Sequence, residues 1–405
     1  MSVDMIKKKF EILIIGGGIA GPALALALKK IGYTSTIFEA QQEITKSKGS
    51  WLALMPNGLN ALKNLNIGSM TNIATPSRGL NFFNYRGKNL GRFDHESFQD
   101  KFHSQSLVMK RSHLHQFLHN EIQKQDISIL FNKRLKHIEQ KQNSRVVAHF
   151  EDNSSYEGDI LIGCDGIHSK VREFILKETP RPSYTGVVGF GGFSSLALTD
   201  KNTGSDLTMT FGKEAFFGYF PANANETFWY SNIPQKNEPS RDEQLSQIEI
   251  KSFLLDTHRH DPKPINDLIR NTNNIDQWVI YDLPEISGWY SGSIALVGDS
   301  AHATSPHGAQ GASLAIEDAL ILAKCIRDLN DKEIIFKTYQ ELRKERAERQ
   351  AKQARNRGQQ NLAKNPVSIF ARDFFMPIAF KNGWVNEDWL YSYSIDWNSK
   401  IEINK

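Results

Sequence analysis

Cysteine is almost missing: of 405 residues, only Cys164 and Cys325 carry a thiol, and both sit in apolar surroundings. Two thiols cannot build a disulfide framework, so the fold rests on a hydrophobic core in a reducing compartment, and both side chains are expected to serve packing. Long apolar runs are also missing. None approaches the roughly 20 residues of a membrane span, and the expected location is cytoplasmic. The N-terminus imitates a leader, since three lysines at 7–9 precede an apolar stretch, but Glu11 and three consecutive glycines interrupt it. Charge of one sign is scarce too. Lys and Arg number 49 against 45 Asp and Glu, a net +4 spread along the chain, which speaks against a nucleic-acid partner. There is no internal repeat and no low-complexity linker.

What is present is enough chain for one large α/β unit and a smaller one. Residues 10–15 read as a compact apolar strand that runs into Gly16-Gly17-Gly18-Ile19-Ala20-Gly21 and then a helix over 19–31. This is G-x-G-x-x-G in the strand-to-helix context that gives it meaning. Gly16 permits the tight turn, Gly18 lets a pyrophosphate touch the backbone, and Gly21 lets helix and strand pack closely. A second strand over 34–38 ends in Glu39, placed to accept both hydroxyls of an adenosine ribose. The motif by itself does not separate NAD from FAD.

Residues 293–326 carry the densest chemistry. A short apolar strand ends at Gly298-Asp299 and so delivers a carboxylate where ligands of open α/β sheets collect. Pro306 and the run Gly308, Ala309, Gln310, Gly311, Ala312 then bring backbone close to a flat polar ligand. The helix beginning near Gly311 or Ala312 aims free N–H groups and a positive dipole end at it. A third polar turn follows the strand over 159–162, where Asp165 and Gly166 precede Ser169 and Arg172 at the start of a helix. Arg111 opens another helix and is in reach of a phosphate or a ribityl chain. His115 and His119, spaced i, i+4, lack a third ligand nearby and read as a helix surface rather than a metal site. No metal is expected.

Between 180 and 280 the texture turns to aromatic, glycine-rich strands, the sheet of a second domain, with Phe211, Tyr219 and Pro221 as candidates for a substrate wall. Residues 127–131 and 145–150 suggest a small antiparallel piece, and 244–255 a helix. The helix over 332–361 has apolar spacing at Ile335, Tyr339, Leu342 and Ala347, and its many cations read as a solvated face. The tail, with Trp384, Trp389, Tyr391, Tyr393 and Trp397, is expected to pack as a cap.

Together, GGGIAG with Glu39, CDGIHSKVR and VGDSAHATSPHGAQGASLAIEDA resemble the FAD-dependent monooxygenases of the p-hydroxybenzoate and salicylate hydroxylase type, over nearly the whole chain. The resemblance implies a Rossmann-like FAD-binding domain with a parallel sheet (8–74, 101–180, 281–365), a smaller mixed β-sheet substrate domain (75–100, 181–280) and a C-terminal helical cap (366–405). It implies that Gly16, Gly18, Ile19, Ala20, Gly21 and Glu39 hold the ADP half of FAD and that Arg111 lies along the cofactor. Asp299 would bind the ribityl chain, and Asp165 would serve the flavin and nicotinamide entry. Pro306, Gly308, Gln310, Gly311 and Ala312 would wrap the isoalloxazine edge.

The implied reaction uses NADH or NADPH and O2, forms a flavin C4a-hydroperoxide, and hydroxylates an aromatic or polycyclic small molecule; no catalytic side chain is required. The family's Gly-Gln-Gly is Ala309-Gln310-Gly311 here. Where relatives acting on small anionic aromatics carry an arginine after an aromatic residue, Phe190 is followed by Gly191-Gly192. Phe190 joins the substrate candidates, and the missing guanidinium is expected to leave space for a larger, less anionic substrate such as a natural product or antibiotic. The alternatives are a flavin-dependent reductase that inserts no oxygen and a flavin-binding redox regulator.

Overall fold

The computed structural model describes residues 10–43, 50–176, 178, 180–198, 205–240, 245–361 and 365–402. The lysines at 7–9, residues 46–49 and Gln244 lie outside the described residues. The strand Ile12–Ile15 has no polar face and is buried throughout, as a central parallel strand must be. It pairs in parallel with Ser35–Phe38 on one side and Ile160–Gly163 on the other. Ser128–Leu130 extends the sheet at the first edge. Ile294–Leu296 extends it at the second, followed by the short antiparallel strand Tyr290–Ser291. All three polar turns therefore leave the same edge of one sheet, from neighbouring strands. The helices Ala20–Lys30 and Gly311–Asp328 pack on it, and their many alanines let both approach closely.

A nine-stranded sheet forms the second layer of the molecule. In order its strands are Thr272–Asp282, Ser183–Ser194, Glu226–Pro234, Phe216–Asn223, Ser205–Phe211, Thr75–Asn84, Ser106–Lys110 and Trp51–Leu54, with Asn89–Asp94 also paired to Thr75–Asn84. Trp51–Leu54 and Ser106–Lys110 pair antiparallel with each other and join this sheet where Ser106–Lys110 pairs with Thr75–Asn84. The small antiparallel sheet is built from Leu135–Gln140, Val146–Phe150 and Ser155–Gly158. The segment at 127–131 joins the parallel sheet instead, since Ile129 registers with Ile37.

The helix Lys332–Asn361 buries the expected face except at one position, where Arg343 rather than Leu342 turns inward. Ile335, Tyr339, Arg343 and Ala347 repeat every four residues and are all 0% exposed, while Leu342, one residue off that stripe, is 46% exposed. Arg343 is thus a core residue, and the cations of this helix are not simply a solvated face. The tail packs only in part. Leu390, Tyr391 and Trp397 are buried and the Arg349 guanidinium lies 3.8 Å over the Trp389 ring, but Trp384 stands in solvent. Among the described residues no helix is long and apolar enough to cross a membrane.

Candidate active site

The glycine turn is held by contacts that permit little change. Gly16 has a φ of +107°, and a Cβ there would lie 2.3 Å from the Cys164 carbonyl oxygen. A Cβ on Gly21 would lie 2.1 Å from the carbonyl oxygen of Gly16. Gly18, between them, faces open space. The helix that follows has no acidic residue in its first turn and carries Lys29 and Lys30 in its last. Its N-terminal amides around Ile19 and Ala20 thus point at an anion site whose dipole is unopposed. Glu39 accepts from the backbone N–H of Gly17 at 2.7 Å and of Gln41 at 2.9 Å, and each carboxylate oxygen keeps a lone pair for a ribose hydroxyl.

His115 and His119 are not a helix surface. Both donate from Nε2 to the carbonyl oxygen of Gly17, each at 2.7 Å, and His119 is buried. Burial lowers the pKa of His119, so it donates as a neutral imidazole. The pair therefore holds the Gly17 carbonyl while Glu39 holds its N–H. His119→Ala is expected to weaken FAD binding about tenfold, the worth of roughly one hydrogen bond, measured as the Kd of the refolded apoprotein for FAD. An unchanged Kd would show the clamp to be idle.

The second and third turns are joined to each other. Asp165 Oδ2 accepts from the N–H of Lys170 at 2.8 Å and of Val171 at 3.2 Å, while Oδ1 is buried without a partner. Burial raises the Asp165 pKa against those hydrogen bonds. The guanidinium of Arg172 is buried and donates from Nη1 to Ser300 O at 2.9 Å and from Nη2 to Ile167 O at 2.6 Å. One arginine thus ties the Asp165 turn to the Asp299–His302 helix. Asp299 is exposed and makes no hydrogen bond among the described residues; a Cβ on Gly311 would lie 3.8 Å from its Oδ1. The strand end carrying Asp299 therefore meets the N-terminus of the Gly311–Asp328 helix. Arg111 is exposed at the head of its helix, with its backbone N–H bonded to Ser50 O at 3.0 Å.

Behind these turns lies a buried polar network. Asp318 accepts from the Gly298 N–H at 3.1 Å, from Arg343 Nε at 2.7 Å and from His302 Nε2. Glu317 is paired with Arg343 at 2.6 Å and Arg346 at 2.9 Å and accepts from Asn57 Nδ2 at 2.6 Å. Asn57 also reaches Gln310 Oε1 at 2.9 Å, leaving Gln310 Nε2 buried and unpartnered. Pro306–Gly308 is a 3-10 turn, after which Ala309 takes a φ of +49°. Alanine in this left-handed region costs about 1–2 kcal/mol, a cost that glycine at 309 would not carry. Sequence reasoning missed Asn57 and Arg343; the regular four-residue spacing of Arg343 with Tyr339 and Ala347 was the available signal.

Pro306, His307, Gly308 and Ala309 form one wall of a cavity of about 740 Å³. Met209, Phe211, Phe216 and Tyr230 of the second sheet form another, and Met376 and Phe380 of the helix Pro366–Lys381 a third. Phe211 is at this cavity. Phe190, Tyr219 and Pro221 do not line it. Phe190 packs in a separate core with Phe217, Trp229 and Leu254. Tyr219 and Pro221 line a shallow depression on the other face, because residues of one strand alternate and these fall on the opposite parity to Phe216. Nor does the Gly189–Gly192 stretch leave space: a Cβ on Gly189 or Gly191 would lie 2.2 or 2.8 Å from the Trp278 indole, which fills it.

Orphaned buried atoms on Asp165 and Gln310, open space at Gly18 and a free carboxylate at Asp299 suit a dinucleotide with a pyrophosphate and a polyol chain. Comparison with known proteins agrees. Residues 9–354 match the family described as FAD binding domain. An FAD-dependent urate hydroxylase of Klebsiella pneumoniae is 28% identical over 86% of this chain and 89% of its own. An aurachin C monooxygenase/isomerase of Stigmatella aurantiaca is 27% identical over 84% and 87%. The crystal structure of Klebsiella pneumoniae HpxO complexed with FAD and uric acid superposes with a TM-score of 0.83 at 24% identity, covering 92% of this chain and 94% of that one. The chain is an oxidoreductase that belongs to the FAD-binding family of aromatic hydroxylase-type, flavin-dependent monooxygenases.

Proposed function

We propose that this monooxygenase hydroxylates a large, uncharged aromatic or polycyclic compound held between the 306–309 loop and the second sheet. One observation carries the reading: the charged side chains of the cavity are already paired. Arg357 meets Glu387, and Arg372 meets Asp373 at 2.7 Å. The titratable groups are neutral as well. Burial lowers His95 and His307 to a pKa of about 4 and raises Tyr391 to about 12 and Tyr230 further. Such walls offer a carboxylate no free cation, while the aromatic rings offer it a costly desolvated site.

The residues fit FAD, which when bound supplies the redox chemistry: electrons from NADH or NADPH and one oxygen atom of O2 for the substrate. Gly16, Gly18, Ile19, Ala20, Gly21 and Glu39 would hold its ADP half, and Asp165, Arg111 and Asp299 its middle. Gly308, Gln310, Gly311 and Ala312 would lie along the ring system. The N-terminus of Gly311–Asp328 favours negative charge developing beside it. His307 fixes the loop against the substrate sheet, since its Nε2 accepts from Asn232 Nδ2 at 3.1 Å and its Nδ1–H donates to Ser305. Both ring nitrogens are engaged, so His307 orients rather than moves a proton. Phe211, Phe216 and Tyr230 exclude water and set the substrate plane.

In air, a panel from benzoates to neutral polycyclic phenols is expected to stimulate NAD(P)H oxidation only at the polycyclic end, by tenfold or more in kcat/KM, about the worth of one unpaired buried charge. A benzoate as the best substrate by kcat/KM would overturn this assignment.

A further inference from the structure

The helix Pro366–Lys381 walls the cavity with one face and leaves the other uncovered. On that outer face Val367, Phe370 and Phe374 are 73%, 71% and 53% exposed, and Trp384 just beyond is 69% exposed. The Phe370 and Phe374 rings stack at 6.1 Å and Phe374 meets Phe375 edge-on at 5.1 Å, so these are one continuous apolar patch rather than scattered side chains. Phe375 belongs to both sides: it lines the cavity and is 60% exposed. Cations stand on this helix and on the hairpin bonded to it. Lys381 is exposed at the end of the helix. The hairpin bearing exposed Arg86 and Lys88 is fastened to it where Asn84 Nδ2 donates to Asp373 Oδ2 at 2.8 Å.

We propose that this face docks the enzyme on an anionic lipid surface, with the cavity opening next to that surface. The inference rests in part on reading the cavity as the substrate site. A phenylalanine and tryptophan face with cations on the same helix and its bonded hairpin is the composition that sinks into the headgroup boundary while anionic headgroups attract the cations. A second copy of the chain is a poorer occupant, because it brings the same cations, Arg86, Lys88 and Lys381, and not an anionic surface to meet them. The substrate wall and the docking face are two sides of one helix, so an apolar compound leaving the lipid would meet the cavity directly.

The test is flotation of the FAD-loaded, full-length protein with vesicles of phosphatidylcholine alone or mixed with phosphatidylglycerol, at low and raised salt. The protein is expected to float with the mixed vesicles and to be released by salt. The double variant Phe370→Ser, Phe374→Ser should bind roughly a hundredfold more weakly, two phenyl rings no longer being buried. Unchanged flavin absorbance and circular dichroism of the variant would establish that it is folded. Three results would overturn the proposal: no flotation of wild type with either vesicle, equal flotation of wild type and variant, or a dimer in solution that the double variant dissociates. Because flotation does not read turnover, its failure and a failure of the proposed hydroxylation are separately visible.

Discussion

Replacing Gly21 with alanine is expected to give folded protein that purifies almost without flavin. The added Cβ would sit 2.1 Å from the Gly16 carbonyl oxygen, and the obstacle is backbone, so no rotamer relieves it. The turn must shift by about an ångström. Shifts of that kind in packed structure cost about 1–3 kcal/mol. Here the displaced atoms include the Gly17 backbone, whose N–H is bonded to Glu39 and whose carbonyl accepts from His115 and His119. The Kd for FAD should rise roughly a hundredfold, measured by flavin fluorescence on apoprotein, with the circular dichroism spectrum unchanged. A variant that retains wild-type flavin would show that the turn does not bind the pyrophosphate.

The second large effect is on stability. Arg343→Met removes the cation shared by Glu317 and Asp318, both 0% exposed. Breaking a buried pair from one side costs about 3–5 kcal/mol because the remaining charge is stranded. His302 and Arg346 stay to compensate part of it, so the expected loss in chemical denaturation lies toward the lower end. The pH dependence has a definite sign. Burial would raise the Asp318 pKa, but His302 and Arg343 overcome it and hold the group lowered. A lowered carboxylate contributes stability above its ordinary value of 3.8 and loses it as pH falls toward the folded value. His302 is the reverse: Asp318 raises it against burial, so its contribution is present below 6.5 and fades as pH rises through the folded value. Without Arg343 one of the groups depressing Asp318 is gone, and the acid loss of stability should begin at higher pH than in wild type. An acid limb that does not move would contradict the network.

Glycines and carboxylates at strand ends are informative because a parallel sheet brings all such ends to one edge; the amino-acid order alone is enough to group Gly16, Asp165 and Asp299. Sidedness was harder. The run 216–223 is aromatic or apolar on both faces, so nothing in its composition says that Phe216 meets the cavity and Tyr219 the opposite depression. Partners distant in sequence were invisible for a different reason. His115 and His119 look like surface until Gly17, about a hundred residues earlier, is folded beneath them. Trp278 occupies the room that the glycines at 189 and 191 seemed to leave, and only the antiparallel pairing of their two strands reveals it.

The most direct test of the account is mass spectrometry of the product formed under oxygen-18 gas with NADPH or NADH and the best polycyclic compound from the panel. One heavy oxygen atom in the product, with NAD(P)H consumed in equal amount, is the predicted result. A product lacking the label, or NAD(P)H consumed only to hydrogen peroxide whatever compound is offered, would contradict it and favour a reductase or a flavin-binding regulator.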